Sequence, residues 1–334
     1  MSPPSQASRT RKSMSVPPHK KTTAPPKDLL TVADIPRDTI HHLIALAQKL
    51  KASRRQGRAT FPLKGKTLGL IFEKPSTRTR VSFEAGMNQL GGQAIFLASE
   101  KIQLSRGESL ADTAKVLTRY LDGLVVRTFN QASLEEWAQH TSIPVINGLT
   151  DDCHPCQALA DLLTIVEHRD HAKGLKLAYI GDGNNITHSL VEIGAKVGMH
   201  VIVGCPKGYE PDPRVIEAAK IEGQQTGARI EITHDPKNAA TDADVIYTDV
   251  WISMGQEHEQ QPRMSALTPY QVNGQLMKEA KPNALVMHCL PAHRGEEITE
   301  EVLDGPQSVV LDQAENRLHI QKAILLEWLG RSPS

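Results

Sequence analysis

The chain has 334 residues and carries 38 basic and 38 acidic side chains, so its formal net charge is zero. This length exceeds what one ordinary hydrophobic core supports and suits two domains of roughly 150 residues each. No apolar run approaches the ~20 residues that a membrane span needs, which excludes a membrane-spanning protein and predicts no membrane partner.

Residues 1–27 form a basic segment with six Lys or Arg and no acid, which leaves 32 basic side chains against 38 acidic ones in the remainder. The acidic remainder argues against a nucleic-acid partner, because phosphate backbones bind clustered basic faces. Pro-Pro pairs at 3–4, 17–18 and 25–26 and a scarcity of large apolar residues predict a disordered tail.

The cysteine content and the basic segment both bear on the compartment. Four cysteines without a secretory signal indicate a reducing compartment, so we expect a cytoplasmic protein. A mitochondrial transit peptide shares the basic, acid-poor composition of residues 1–27, but it needs an amphipathic helix that the prolines oppose. A mitochondrial location is the alternative if that segment is a transit peptide.

Strand-like and helix-like segments alternate from residue 66 onward. In the first half, the predicted strands are 66–73, 93–98, 123–129 and 143–147, and the predicted helices are 78–90, 108–121, 133–141 and 155–168. Ser133 and Glu136 match a capping box at the start of the third helix.

The same alternation restarts near residue 170. The predicted strands are 176–181, 200–204, 229–233, 244–249, 285–290 and 308–311, and the predicted helices are 186–198, 213–225, 264–280 and 314–330. Such alternation indicates an α/β protein with two doubly wound parallel sheets, in which ligands bind at the carboxyl ends of strands.

A cluster of hydroxyls and cations, Ser76 to Arg80, follows the first predicted strand and opens a helix. The free N–H groups and positive dipole of a helix N-terminus favour a phosphate, and two arginines in the first turn oppose that dipole unless an anion compensates them. A plain N-cap with solvated arginines is the alternative. The Walker pattern is absent, so no nucleoside triphosphate is predicted.

Three further candidates lie at the ends of the next strands. Arg127 ends the strand-like segment DGLVVRTF, where it is either a ligand-binding cation or half of a structural ion pair. His154 and Gln157 lie three residues apart at a helix start marked by Pro155, so both face one way and either can donate to a carbonyl oxygen. Cys153 makes a C-x-x-C pair in the same segment, for which redox chemistry and a zinc half-site are weaker interpretations.

The second half contributes three strand-end segments. Gly181 to Asn185 resembles a dinucleotide fingerprint, but a third glycine and an acid at the end of the next strand are missing, so its asparagines suit a polar small molecule instead. Asp249 precedes a segment with Gly255 and a polar run, a composition that suits a mobile flap, and it either pairs with a ligand ammonium or caps a loop. Cys289, in the segment HCLP, is by base rates a buried structural residue.

Together these segments resemble the carbamoyltransferase family, and within it the members that act on ornithine. The resemblance runs from about Asp28 to the C-terminus through STRTR, HPCQALAD, DVWISMGQE, HCLPAHRG and AENR in family order. It implies a carbamoyl-phosphate-binding domain, residues 28–168, joined by interdomain helices to an ornithine-binding domain, residues 169–315. A C-terminal helix, about 316–334, would pack back on the first domain.

The resemblance also implies roles for individual positions. Carbamoyl phosphate binding falls to Ser76, Thr77, Arg78, Thr79, Gln103, Arg127, His154 and Gln157. Ornithine binding falls to Asn185, Asp249, Ser253, Met254, Cys289 and Leu290. The expected catalytic residues are Arg127, His154 and Cys289, and Arg317 is expected near either substrate. Because Gln103 would reach into a neighbouring subunit's site, the resemblance implies a homotrimer or a multiple of trimers.

The implied reaction transfers the carbamoyl group of carbamoyl phosphate to the δ-amine of L-ornithine, giving L-citrulline and phosphate, as in arginine biosynthesis or the urea cycle. Positioned donors stabilise the negative charge on the carbonyl oxygen, so neither a metal nor a cofactor is expected. Two alternatives stay open at this stage. One is a carbamoyltransferase for another acceptor such as aspartate, and the other is a dinucleotide-binding oxidoreductase.

Overall fold

A computed structural model describes residues 25–330 except 253, 254 and 256. Within this part of the chain, no helix is both long and apolar enough to cross a membrane. The predicted disordered tail lies almost wholly outside the described residues.

The first half of the described chain forms a four-stranded parallel sheet in the order β2-β1-β3-β4. Its strands are β1 (Thr67–Phe72), β2 (Gln93–Ala98), β3 (Gly123–Arg127) and β4 (Val145–Leu149). Its helices are α1 (Arg37–Arg55), α2 (Thr77–Gln89), α3 (Leu110–Leu117), α4 (Gln131–His140) and α5 (Pro155–Arg169), with 3-10 turns at Ser99–Lys101 and Gln103–Arg106.

The second half forms a five-stranded parallel sheet, in the order β7-β6-β5-β8-β9 among the described residues. Its strands are β5 (Lys176–Ile180), β6 (His200–Gly204), β7 (Ile230–Thr233), β8 (Val245–Thr248) and β9 (Leu285–His288). Its helices are α6 (Asn185–Val197), α7 (Pro213–Thr226), α8 (Pro236–Ala240), α9 (Gln260–Leu267), α10 (Gly274–Met277), α11 (Glu300–Leu303) and α12 (Val310–Leu329), with 3-10 turns at Glu257–Glu259 and Thr268–Tyr270.

Two helices join the halves. The helix α5 is buried from Pro155 to Ile165, because it packs on α1 and β4 of the first half, on α6 of the second, and on α12. The C-terminal helix α12 packs back on α1, α2 and α5, and it also contacts β9 of the second sheet. The predicted fold, two doubly wound parallel sheets joined by helices with the last helix returning to the first half, is confirmed.

The sheets also explain where the site lies. In the first sheet the strand order reverses between β1 and β3, and in the second it reverses between β5 and β8. A crevice opens at such a switch point because the connections leave it in opposite directions. The six strand-end candidates named above lie at or just after the ends of β1, β3, β4, β5, β8 and β9, whereas Gln103 follows β2 and Arg317 lies in α12.

Three local predictions were wrong. The predicted strand 308–311 is not a strand: Ser308 makes one isolated bridge to Val286, and α12 begins at Val310. A short apolar run cannot by itself distinguish strand from helix, and here the buried positions continue with helical spacing. The predicted helix 264–280 is divided by the turn Thr268–Tyr270, which contains Pro269, and α4 begins after Asn130 without a side-chain cap.

Candidate active site

The strand ends of the two sheets face each other across a cleft of about 1440 Å³. The first sheet contributes the segment after β1, the end of β3 and the N-terminus of α5. The second contributes the segments after β5, β8 and β9, and α12 adds Arg317. Most of the predicted site residues therefore come together in one place, although up to 241 positions separate them in the sequence.

The N-terminus of α2 forms one end of the cleft. Ser76 is its N-cap, and the side-chain oxygen accepts a hydrogen bond from the backbone N–H of Thr79 at 3.2 Å. The first turn contains no acid, so the positive end of the helix is uncompensated by its own side chains. Thr77 is exposed and Arg78 half-buried, and all four residues line the cleft.

Arg127 ends β3 and is 5% exposed. The pairing of β3 with β4 shifts between Val126 and Arg127, and such an irregularity redirects the side chains at a strand end. Its Nε atom is buried without a hydrogen-bond partner, and no salt bridge joins Arg127 to an acid among the described residues. The structural ion pair considered from the sequence is therefore not formed there.

The N-terminus of α5 brings His154 and Gln157 into the cleft, as their spacing predicts. The backbone N–H of His154 donates to Ser189 Oγ at 2.8 Å, whereas His154 Nδ1 is buried without a partner. Gln157 differs from the expectation of a free donor, because its Nε2 atom already donates to Asp161 Oδ1 at 2.8 Å. One of its two N–H groups is thus committed inside the protein.

Arg317 connects these two helix starts. Its Nη1 atom donates to Gln157 Oε1 at 2.6 Å and its Nη2 atom donates to Thr79 Oγ1 at 2.9 Å, while Nε has no partner. Arg317 itself is 4% exposed on α12. The C-terminal helix thereby holds α2 and α5 in register at the cleft.

The cations of this wall perturb one another. Burial, followed by the charges of Arg317 and Arg78, lowers the pKa of Arg127 to about 10, which leaves it protonated at neutral pH. Burial and the same three guanidinium groups lower the pKa of His154 well below its ordinary value, so its imidazole is neutral. Clustered cations that destabilise one another's charged forms favour an anionic ligand.

The opposite wall is acidic at its centre. Asp249 follows β8 and is 6% exposed, and its Oδ1 atom accepts from the thiol of Cys289 at 2.9 Å. Its Oδ2 atom accepts from Asn184 Nδ2 at 2.9 Å. Burial, and then the negative charge of Asp249, raises the pKa of Cys289 well above its ordinary value. Cys289 is therefore a neutral thiol that donates to the carboxylate.

Leu290 and Asn185 complete this wall. Leu290 has φ of 57°, a sparsely populated conformation for a bulky residue, and its backbone N–H donates to His288 Nδ1 at 2.9 Å. The Leu290 carbonyl accepts from Arg78 Nη2 at 2.6 Å, so the two walls touch there. Asn185 Nδ2 donates to the backbone oxygen of Thr150 at 2.6 Å, which ties the start of α6 to the first half.

The structure weakens the competing interpretations of two motifs. At Gly183 a Cβ atom would lie 2.2 Å from the backbone nitrogen of Pro211, so protein backbone occupies the side of this glycine where a dinucleotide would need an approach. Cys153 and Cys156 are buried, and burial raises the pKa of each thiol to about 12, which removes the reactive thiolate that redox chemistry needs.

One predicted residue lies elsewhere. Gln103 is exposed in a 3-10 turn and does not line this cleft. Ser253 and Met254 lie outside the described residues.

Sequence reasoning missed Lys74, which adds a further cation to the lining of the cleft. Lys74 is 3% exposed, pairs with Asp151, and lies 4.2 Å above the ring of Phe129. Its position between the end of β1 and the N-cap of α2 was the available signal, because residues after a strand of a parallel sheet lie at the edge where ligands bind.

Comparison with known proteins agrees with this architecture. Residues 27–167 match the family model "Aspartate/ornithine carbamoyltransferase, carbamoyl-P binding domain", and residues 173–328 match the "Asp/Orn binding domain" of the same family. The chain is 56% identical over 303 residues to an ornithine carbamoyltransferase of Anoxybacillus flavithermus, covering 91% of this chain and 96% of the relative. It is 59% identical over 299 residues to that of Oceanobacillus iheyensis, covering 90% and 93%.

Solved structures give the same result. The ornithine carbamoyltransferase of Pyrococcus furiosus superposes with a TM-score of 0.89 at 51% identity, covering 92% of this chain and 98% of that one. Both halves of the fold and both walls of the cleft fall within the matched regions. The chain therefore belongs to the aspartate/ornithine carbamoyltransferase family.

Proposed function

We propose that the protein transfers the carbamoyl group of carbamoyl phosphate to the δ-amine of L-ornithine, releasing L-citrulline and phosphate. One observation carries this proposal: a wall of mutually repelling cations with unpaired donors faces a buried carboxylate and thiol across a single cleft. The first wall suits a phosphorylated donor, and the second suits a cationic acceptor. Relatives at 52–59% identity bear the name ornithine carbamoyltransferase, in agreement with this assignment.

Carbamoyl phosphate binds the first wall. Its phosphate lies at the N-terminus of α2, where Ser76 to Thr79 offer backbone N–H groups, hydroxyls and the guanidinium of Arg78. Its carbonyl oxygen accepts from Arg127, neutral His154 and the hydroxyl of Thr79. That hydroxyl is available as a donor because it accepts from Arg317.

The chemistry follows from this placement. Attack of the uncharged amine on the carbamoyl carbon builds negative charge on the carbonyl oxygen, and the same donors stabilise it in the transition state. The attacking nitrogen then loses a proton to the departing phosphate or to the pair of Cys289 and Asp249, the bond to the phosphate oxygen breaks, and phosphate leaves within a pocket whose cations already compensate its charge. Arg127 remains protonated throughout, since its pKa of about 10 lies well above neutral pH.

Ornithine binds the second wall. Asp249 pairs with the α-ammonium, and Asn185, Leu290, Ser253 and Met254 complete the contacts. Cys289 orients the δ-amine, which must lose a proton before it attacks, since an alkyl amine is cationic at neutral pH. Desolvation in the closed cleft lowers the pKa of that amine.

The domain assignment follows the same division. We assign carbamoyl phosphate to residues 28–168 together with the C-terminal helix from about 316, and ornithine to residues 169–315. The helix α12 supports this division, because Arg317 bonds to residues of the first wall whereas Gln313, one turn earlier, bonds to the backbone of His288 in β9.

Gln103 is the basis of a proposal for how subunits assemble. Its exposure outside its own cleft fits a residue that completes the site of a neighbouring chain, in a homotrimer or a multiple of trimers. Large exposed apolar side chains in the first half, including Val81, Ile95 and Tyr120, supply surface for that contact, and Ile95 lies on the edge strand β2. Inactive Arg127→Ala and Gln103→Ala chains, mixed, should then regain activity because some interfaces contain one intact site. Mixed trimers that stay inactive at every ratio would contradict shared sites.

The reaction belongs to arginine biosynthesis or the urea cycle. We propose a cytoplasmic location, because free cysteines suit a reducing compartment. The decisive experiment measures ureido product with carbamoyl phosphate and separate acceptors: ornithine, aspartate, lysine and putrescine. Citrulline from ornithine alone is expected. Transfer to aspartate in preference to ornithine would replace the proposed acceptor, and an absence of transfer to all of them would overturn the reaction.

A further inference from the structure

A buried polar network lies behind the first wall and is not used by the reaction as described above. Its centre is Asp161 on α5, which is 1% exposed. Asp161 Oδ1 accepts from Gln157 Nε2 at 2.8 Å and from Gln313 Nε2 at 2.7 Å, and Oδ2 accepts from the hydroxyl of Tyr247 at 3.1 Å. A buried carboxylate that receives three donors is satisfied only as an acceptor.

The network determines which way the amide of Gln157 points. A guanidinium can only donate, so the amide atom that faces Arg317 at 2.6 Å is the oxygen. The amide nitrogen faces Asp161, where it meets an acceptor. Both neighbours therefore select the same orientation, and reversal of the amide would place donor against donor at Arg317.

This orientation matters for the ligand. Gln157 lines the cleft, and its Oε1 atom keeps a second lone pair beyond the one used by Arg317. An acceptor held at this point suits an N–H group of the carbamoyl moiety. A methyl group in the same place would leave the oxygen unpaired, which is how a site built for an N–H rejects an analogue that lacks it.

We propose that Asp161 is a positioning residue that holds Gln157 as an acceptor, and thereby selects an acyl phosphate bearing an N–H group over one bearing a methyl group. This inference rests on the proposed function, in which carbamoyl phosphate is the donor substrate. It extends that function to a residue that touches no substrate and acts through Gln157.

The test compares the affinities of carbamoyl phosphate and acetyl phosphate, measured by calorimetry, in the wild type and three variants. Both ligands carry a phosphate, so the ratio of the two dissociation constants cancels a general change in the charge of the cleft. Asp161→Leu removes the charge and the acceptor. We expect the dissociation constant of carbamoyl phosphate to rise, so that the preference for carbamoyl phosphate over acetyl phosphate falls roughly tenfold from its wild-type value.

Asp161→Asn separates charge from hydrogen bonding. The asparagine can keep its oxygen on Gln157 and Gln313 and turn its nitrogen toward the Tyr247 oxygen, so we expect a ratio within about threefold of the wild type. Thr164→Val is the matched control: Thr164 is buried on the same helix and accepts from Asn316 Nδ2 at 2.9 Å, a contact between α5 and α12 that does not involve Gln157. It should lower thermal stability without changing the ratio.

The outcomes are distinct. If Asp161→Leu keeps the wild-type ratio of dissociation constants, the proposal is overturned. It is also overturned if Asp161→Asn and Asp161→Leu lose the preference for carbamoyl phosphate equally, because the effect would then belong to the charge of Asp161. If Asp161→Leu does not fold, Asp161→Ser, which leaves room for water, is held to the same criterion. Citrulline formation by the wild type is measured separately, so failure of the proposed function is distinguished from failure of this inference.

Discussion

The two walls of the cleft differ in how fully their buried polar groups are paired within the protein. The wall of the first half contains buried nitrogen atoms without partners, at Arg127, His154 and Arg317, and its cations lower one another's pKa values. On the wall of the second half, the carboxylate of Asp249 is already bonded through both oxygens, to Cys289 and Asn184. The difference indicates that the first wall needs an anion to offset its positive charge. On the second wall the hydrogen bonds of Asp249 are already made within the protein, and a ligand would bind to this preformed arrangement.

The most severe test of this comparison removes a cation from the unsatisfied wall. Arg127→Gln keeps a donor but deletes the charge, and we expect turnover to fall by roughly 10²- to 10³-fold, as for loss of one donor to a developing oxyanion. Steady-state citrulline formation measures the effect. The control is Lys66→Gln, which deletes a cation that pairs with Asp122 at the opposite end of the same sheet. Equal turnover in Arg127→Gln and the control would show that the first wall does not depend on its unpaired cations.

A second test asks whether the satisfied wall binds its ligand independently of the first. Asp249→Asn should weaken ornithine binding roughly tenfold to a hundredfold, since a charge-assisted hydrogen bond contributes about 1.5–3 kcal/mol, and should leave carbamoyl phosphate binding nearly unchanged. Calorimetry in the presence of each ligand gives both affinities.

The chain offers a matched control for this second test. Asp244 precedes β8, as Asp249 follows it, and pairs with Lys281 at 2.7 Å. Asp244→Asn removes the same charge from the opposite end of one strand and should change neither affinity. Similar losses of both ligands in Asp249→Asn would mean that this carboxylate supports the fold rather than the acceptor.

The smallest expected effect concerns the thiol of the satisfied wall. Burial and the charge of Asp249 raise the pKa of Cys289, so Asp249→Asn should lower that pKa and increase the thiolate fraction at a given pH. We expect alkylation of Cys289 by iodoacetamide at about pH 8 to accelerate by up to about tenfold, the change that accompanies one pKa unit. Peptide mass spectrometry measures the rate.

Three other cysteines serve as internal references in the same digest. Burial raises the pKa values of Cys153, Cys156 and Cys205 to about 12, so their alkylation should stay slow in both proteins. Faster labelling of all four would indicate general loosening of the variant. An unchanged rate at Cys289 would show that burial alone protects the thiol and that its bond to Asp249 contributes little.

The local sequence determined a large share of this architecture. Alternating strand and helix patterns predicted two parallel sheets, because the period of apolar residues reflects the faces that each element must bury. Ser76 and Pro155 marked the starts of α2 and α5, where capping and the missing proline N–H act on neighbouring residues only. Polar residues directly after strands predicted most of the cleft, because parallel strands end at a common edge.

Other features depended on contacts that no local pattern records. The apolar run at 308–311 became the start of α12, and its contacts are made with residues distant in the sequence: Ser308 bridges Val286, and Val310 packs in the core of the second half. Arg127 forms no salt bridge within the described part of the chain, although the sequence left an ion pair open.

The strongest example is Arg317, 238 positions from Thr79 and 160 from Gln157, which it bonds simultaneously. From the sequence alone, this arginine was predicted as a site residue only through the family resemblance. Its two hydrogen bonds form only because the fold returns the C-terminal helix to the first half. Propensity and capping act over a few residues and can be read along the chain, whereas hydrogen bonds between distant side chains exist only after packing has chosen which helices meet. Local sequence thus determined the elements and the edge where the site lies, and tertiary structure decided which donors at that edge stay free for a ligand.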